Sequence, residues 1–271
     1  MQKLTRKQQM IAICVCVGLV LAGGSWWAFG RASQAEPETP QVAKKRVQSP
    51  VNVIAVAERP YLRLDPSTDG RHVTINVLEV KKAASQLDYE MEYQTGSMLQ
   101  GFQGLIDLQK LPVSDRKLFG SQSAGGAITY HEDISGGSLL AQFGGSEDYA
   151  VKSAWRFFQN TTKDSKFSSQ DTKFSISGDT LKNVRHLIIY NSPGYPDEIK
   201  GELLSDPYVV SADQSLKTSS GNFTVSIRSS NAEAVIMGYD GAKWQELDSS
   251  FQDGVWISSG PFMEVYLLTG K

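Results

Sequence analysis

Beyond position 16 the chain contains no cysteine; its two, Cys14 and Cys16, both lie in an apolar N-terminal segment. Everything downstream is therefore without a disulfide, a thiolate metal site or a cysteine nucleophile. Histidine is almost as scarce. His72, His131 and His186 stand far apart, and none belongs to an HExxH pattern. There is no G-x-S-x-G elbow, no P-loop and no G-x-G-x-x-G, so the paired glycines read as turns and not as phosphate cradles. Excess positive charge is missing too. Residues 1–35 carry Lys3, Arg6, Lys7 and Arg31 with no acid, which leaves 23 basic against 29 acidic side chains in the remainder. A mildly acidic body has no basic face for phosphates, which argues against nucleic acid as a partner.

Only one long hydrophobic run is present. Met10 to Phe29 reads MIAICVCVGLVLAGGSWWAF without a charge. At the rise of a helix this spans about 30 Å, one hydrocarbon core. Trp26 and Trp27 fall near its C-terminal end, where indole rings favour the membrane interface. A cleaved signal peptide is the competing reading, but its apolar core is usually only about 7–15 residues. Lys3, Arg6 and Lys7 favour a cytoplasmic N-terminus. Residues 31–50 are polar, hold Pro37, Pro40 and Pro50, and read as an extended linker with a reach of about 60 Å. Lys44, Lys45 and Arg46 read as solvated linker charges, with lipid headgroups or wall polymer as the alternative contact.

After Pro50 short alternating runs dominate. Leu87, Tyr89, Met91 and Tyr93 alternate with Asp88, Glu90 and Glu92, which predicts a half-buried strand with an acidic outer face. Val73, Ile75 and Val77 alternate likewise, as do Phe223, Val225 and Ile227. Further strands are expected over 51–57, 126–131, 137–143, 150–158, 173–177, 184–190, 233–239, 243–247 and 262–268, parted by turn signals such as Asp69-Gly70 and Asp240-Gly241. One short helix is expected around 98–109, weakened by Gly101 and Gly104. Residues 192–207, with three prolines and two glycines, interrupt the rhythm and suggest a boundary.

The segments that could carry chemistry read as turns and strands. His131-Glu132-Asp133 groups three polar side chains at a strand end, where alternation divides them between faces. Asp65 to Gly70 opens like a calcium loop, but the twelfth position is Asn76 and a strand follows, so a hairpin turn is expected. Ser114-Asp115-Arg116-Lys117 fits S-x-x-K without the companion motifs of an acylating serine. Asp133, Glu147 and Asp148 are carboxylates that a glycosidase could use only if a cleft joined them. Asn160 and Asn222 head glycosylation acceptor triplets. Trp155, Phe157, Phe158, Tyr190 and Tyr195 are candidates for a stacking surface, with Trp155 and Phe157 on one strand face, Phe158 on the other, and core packing the simpler account.

In the last quarter, Pro207 to Val210, Asn222 to Ile227, Tyr239-Asp240-Gly241-Ala242-Lys243-Trp244, Asp253-Gly254 and Phe262 to Leu267 follow in order. This series resembles the small β-sandwich modules of bacterial surface proteins, where a Tyr-Asp-Gly-x-x-Trp hairpin precedes a closing strand. The resemblance implies an exported setting, with Trp244 and the closing aromatic in the core, and implies no activity.

The fold expected is mainly β, as antiparallel β-sandwiches preceded by one N-terminal transmembrane helix. The divisions expected are a cytoplasmic 1–9, a signal-anchor 10–30, a linker 31–50, a β-rich extracytoplasmic domain 51–195 and a small sandwich module 205–271; a single continuous sandwich is the alternative. The function expected is that of a membrane-anchored extracytoplasmic binding or structural protein of a bacterial cell envelope. An accessory subunit of a secretion, pilus or division assembly and a carboxylate-dependent hydrolase are the alternatives. No catalytic, cofactor-binding or metal residue is assigned, and no cofactor. The partners expected are the membrane, crossed once, and a cell-wall polymer or another envelope protein.

Overall fold

The structure, a computed structural model, describes residues 50–217 and 221–271. The apolar segment 10–30 and the linker up to residue 49 lie outside the described residues. Among the described residues no helix is long and apolar enough to cross a membrane.

The chain is mainly β and its strand pairs are antiparallel. In order the strands are β1 (Tyr61–Pro66), β2 (His72–Glu79), β3 (Gln86–Thr95), β4 (Met98–Asp107), β5 (Val113–Leu118), β6 (Gly120–Gln122), β7 (Ile128–Tyr130), β8 (Ile134–Gly144), β9 (Tyr149–Gln159) and β10 (Lys166–Ser168). They continue with β11 (Phe174–Ser177), β12 (His186–Asn191), β13 (Tyr208–Ala212), β14 (Phe223–Arg228), β15 (Ala234–Tyr239), β16 (Trp244–Leu247), β17 (Ser249–Gln252), β18 (Val255–Gly260) and β19 (Val265–Gly270). Nine of them form one sheet in the order β16-β15-β19-β13-β12-β9-β8-β3-β4. A three-stranded sheet, β1-β2-β5, and a five-stranded sheet, β10-β11-β14-β18-β17, accompany it, with a small β6-β7 ribbon.

Side-chain alternation explains which faces meet. Leu87, Tyr89, Met91 and Tyr93 of β3 point the same way and are buried with Leu62, Leu64, Val73, Ile75 and Val77 of β1 and β2 in a first core. Phe174, Ile176, Phe223, Val225, Ile227 and Trp256 of the five-stranded sheet meet Leu187, Ile189, Tyr208, Tyr266 and Leu268 in a second. β12 and β13 serve both. Ile188, Tyr190 and Val209 face the first core, while Leu187, Ile189 and Val210 face the second. Strands buried on two faces read as continuous apolar runs, and Leu187-Ile188-Ile189-Tyr190 is such a run.

Three expectations change. Residues 98–109 do not form a helix; Met98–Asp107 is strand β4, paired with β3 over ten positions. Glycine is the reason: a Cβ at Gly101 would sit 2.8 Å from the Met91 carbonyl oxygen, and one at Gly104 would run into the Tyr89 phenol. Neither approach is open to a bulkier residue, and both glycines disfavour helix. Residues 51–57 form no strand either. Val51 makes one parallel bridge to Ala150, and Val56–Glu58 is a single 3-10 turn. The segment 192–207, finally, is a long connection within one sheet, because β12 and β13 on either side of it are hydrogen-bonded antiparallel neighbours. Ser192 to Pro196 are buried, the Trp244 indole donates to the Pro196 carbonyl at 2.9 Å, and Gln48–Lys271 is one compact unit.

Candidate binding surface

The singled-out motifs fall into structural roles. Asp65 accepts from Arg63 at 2.9 Å and from the Asn76 amide at 2.9 Å, and the 67–71 turn joins β1 to β2 as a hairpin. In β5, Asp115 and Lys117 are half-buried while Ser114 and Arg116 face solvent. Ser114 and Lys117 thus point to opposite faces, and lysine cannot act as base to that serine. Lys117 instead lies 3.1 Å from Asp115, whose carboxylate accepts from the Tyr89 hydroxyl at 2.6 Å. His131 Nδ1 is 2.8 Å from the Tyr93 hydroxyl, and Glu132 offers its backbone carbonyl to Thr95. Asp133 and Glu147 flank the eleven residues of β8, an extent of about 35 Å, so they cannot share one cleft.

The aromatic set divides as its alternation predicts. Trp155, Phe157 and Tyr190 are buried in the first core, Trp155 stacked on Phe119 at 6.0 Å, while Phe158 packs against the second. Tyr195 is buried beneath the Lys81 ammonium, 4.0 Å from its ring centre. Asn160 is buried and donates to the Asp164 and Leu181 carbonyls, so it is closed to modification; Asn222 is exposed. Trp244 is half-buried against Tyr239 and Tyr195, and Tyr266 lies in the second core.

What remains open is a sheet face. The first core covers one side of β9, β8, β3 and β4; on the other side the register sets side chains in rows across the strands. One row is Leu99, Gln94, Gly136 and Arg156; the next is Gly101, Glu92, Ser138 and Ala154; the third is Gln103, Glu90, Leu140 and Lys152. Small residues at the centre leave a groove of about 490 Å³ lined by Glu92, Gln94, Leu99, Ser138, Ala154 and Arg156, among others. Its floor is fixed by Gly136 and Gly137. Gly136 has φ +121°, and a Cβ on Gly137 would lie 2.8 Å from the Glu92 carbonyl carbon. Strand β8 can approach β3 and β9 this closely only without side chains there.

The groove carries both signs of charge. Asp88, Glu90 and Glu92 line up along β3, and Lys152 and Arg156 along β9, two strand spacings or about 10 Å away. Ser138 donates to Glu92 at 3.2 Å, and the Arg156 guanidinium lies 4.8 Å over the Phe158 ring. A second concavity, about 360 Å³, is lined by Arg63, Asp65, Lys217 and Glu264. There the charges already answer one another, with Arg63 2.9 Å from Asp65 and Lys217 2.7 Å from Glu264. The groove is the candidate binding surface because Glu92 and Arg156 face it from opposite sides, across two strand spacings. Sequence alternation placed Glu92 on an outer face but gave no sign that Ser138, Ala154 and Arg156 lie beside it.

No protein-family model, no curated protein and no solved structure matches this chain.

Proposed function

We propose that the chain is a membrane-anchored, extracytoplasmic binding protein of a bacterial envelope. In this reading it holds an extended polar ligand across the open face of β9, β8, β3 and β4 and carries out no chemical step. The observation that supports it is the groove with an acidic rail on one side, a basic rail on the other and a glycine-fixed floor. A flat, hydroxyl- and amide-rich wall polymer bearing amino and carboxylate groups matches both rails and fits a shallow groove. The run 10–30 would anchor the body and the linker 31–50 would hold it off the bilayer.

The test is co-sedimentation of the full chain, in detergent, with isolated wall material across a salt series. Saturable binding is expected, weakened at least about tenfold by Ala154→Trp, which fills the groove from its floor. Binding that ignores this substitution, or no binding at all, rejects the reading. The accessory-subunit reading draws on the uncovered edge strand β4. It requires that exchanging residues 10–29 for an unrelated span abolish function; a harmless exchange leaves the helix as a tether.

A further inference from the structure

The uncovered edge of the nine-stranded sheet points to a specific partner. Strand β4 ends the sheet and pairs only with β3 among the described residues. Edge strands present a row of unpaired backbone donors and acceptors, which proteins protect with lysine, proline, bulges or short length. None of these devices is present. Met98 to Ile106 carries no charge and no proline, and the strand is ten residues long with a regular register to β3. Its outer-facing apolar side chains are open to solvent, Leu99 and Leu105 at 62% each.

We infer that β4 pairs with the β4 of a second copy of this chain, antiparallel, about a twofold axis perpendicular to the sheet at Phe102. The strand's own sequence selects that register. With Phe102 opposite Phe102, Leu99 of each copy faces Leu105 of the other, Gln100 faces Gly104, and Gly101 faces Gln103. Both exposed leucines are covered, twice, and no like charges are brought opposite. Residues opposite each other must share a face, so the neighbouring registers differ by two positions. Those set Leu99 against Gln103 or against Asp107, and the leucine match is lost. A twofold interface needs such a self-complementary patch, because the same surface is used by both copies. The two open faces then lie on the same side of one continuous sheet, and the two grooves face the same way. The pairing does not depend on the identity of any ligand.

The test measures the mass of the full chain in detergent by sedimentation equilibrium, for the natural sequence and two double variants. The natural sequence is expected to be dimeric. Leu99→Lys with Leu105→Lys sets lysine opposite lysine and should weaken association at least about tenfold. Leu99→Lys with Leu105→Glu removes the same apolar surface but sets lysine opposite glutamate, and should keep the dimer in a salt-sensitive form. Both positions face solvent, so the circular dichroism spectrum should stay that of the natural chain, which separates lost pairing from lost folding; the thermal midpoint falls only by the lost association. A monomeric natural chain overturns the inference. So does a dimer that persists with two lysines, as association through the apolar segment alone would give. Equal dissociation of the two variants overturns the register and with it the proposal.

Discussion

Ile188 and Ile189 are neighbours in β12, fully buried, and belong to different cores. Cutting either to alanine should test whether the two cores fold as one. Truncating a fully buried isoleucine costs about 2–5 kcal/mol, from lost transfer energy plus the cavity left behind. In a folded unit of this size each kcal/mol moves the midpoint by about 2–4 °C, so a cost near 3.5 kcal/mol predicts a fall of about 7–14 °C. Because one backbone strand carries both side chains, neither core can lose β12 without the other. Ile188→Ala and Ile189→Ala are therefore expected to lower a single calorimetric transition by similar amounts, with calorimetric and van't Hoff enthalpies in agreement. Two transitions, Ile188→Ala moving one and Ile189→Ala the other, would refute a single folding unit. That pattern would mean two bodies that merely share a strand.

Two further outcomes follow from the same contacts. Burial above all holds the hydroxyls of Tyr61, Tyr89, Tyr190, Tyr208 and Tyr266 well above the ordinary tyrosine range and pushes Tyr239 up to about 12. The unfolded chain loses these protons first, near pH 10. Their contribution to stability is thus whole below pH 10 and is lost as pH rises beyond it, by up to about 1.4 kcal/mol per pH unit for each tyrosine. Tyrosinate absorbance should appear cooperatively with loss of the near-ultraviolet dichroism, and independent titration of most tyrosines near pH 10 would contradict it. Gly137→Ala places a Cβ 2.9 Å from the Tyr93 Cα and should cost about 1–3 kcal/mol in denaturant unfolding, as β8 and β3 are forced apart. A neutral result there would show that the groove floor is not fixed by close approach.

Much of the strand content was legible because alternation is a local property. Leu87 to Tyr93, Val73 to Val77 and Phe223 to Ile227 each show it within a single run, and each run is a strand with that face buried. β5 escaped notice because its middle, Ser114 to Lys117, is polar throughout, and half-burial of Asp115 and Lys117 is visible only once Tyr89 lies beside them. The apparent boundary at 192–207 misled for a related reason. Proline and glycine signal a break in strand rhythm, and here they build a connection between paired strands whose first part, Ser192 to Pro196, is buried beside Arg59 and Trp244.

By itself, then, the sequence determined the local terms: an apolar run long enough for a membrane, a cysteine-free acidic body, and strands whose period assigns each side chain to a face. Which faces meet was decided by tertiary structure alone. Glu92, Ser138 and Ala154 form one row although up to 62 residues part them in the chain, because β3, β8 and β9 pair in one register. Turning β4 from a weak helix into an exposed edge likewise required the Tyr89 ring and the Met91 backbone, contacts that only the paired sheet supplies. Strand pairing is non-local, and its energy rests on cross-strand neighbours that a linear pattern does not specify.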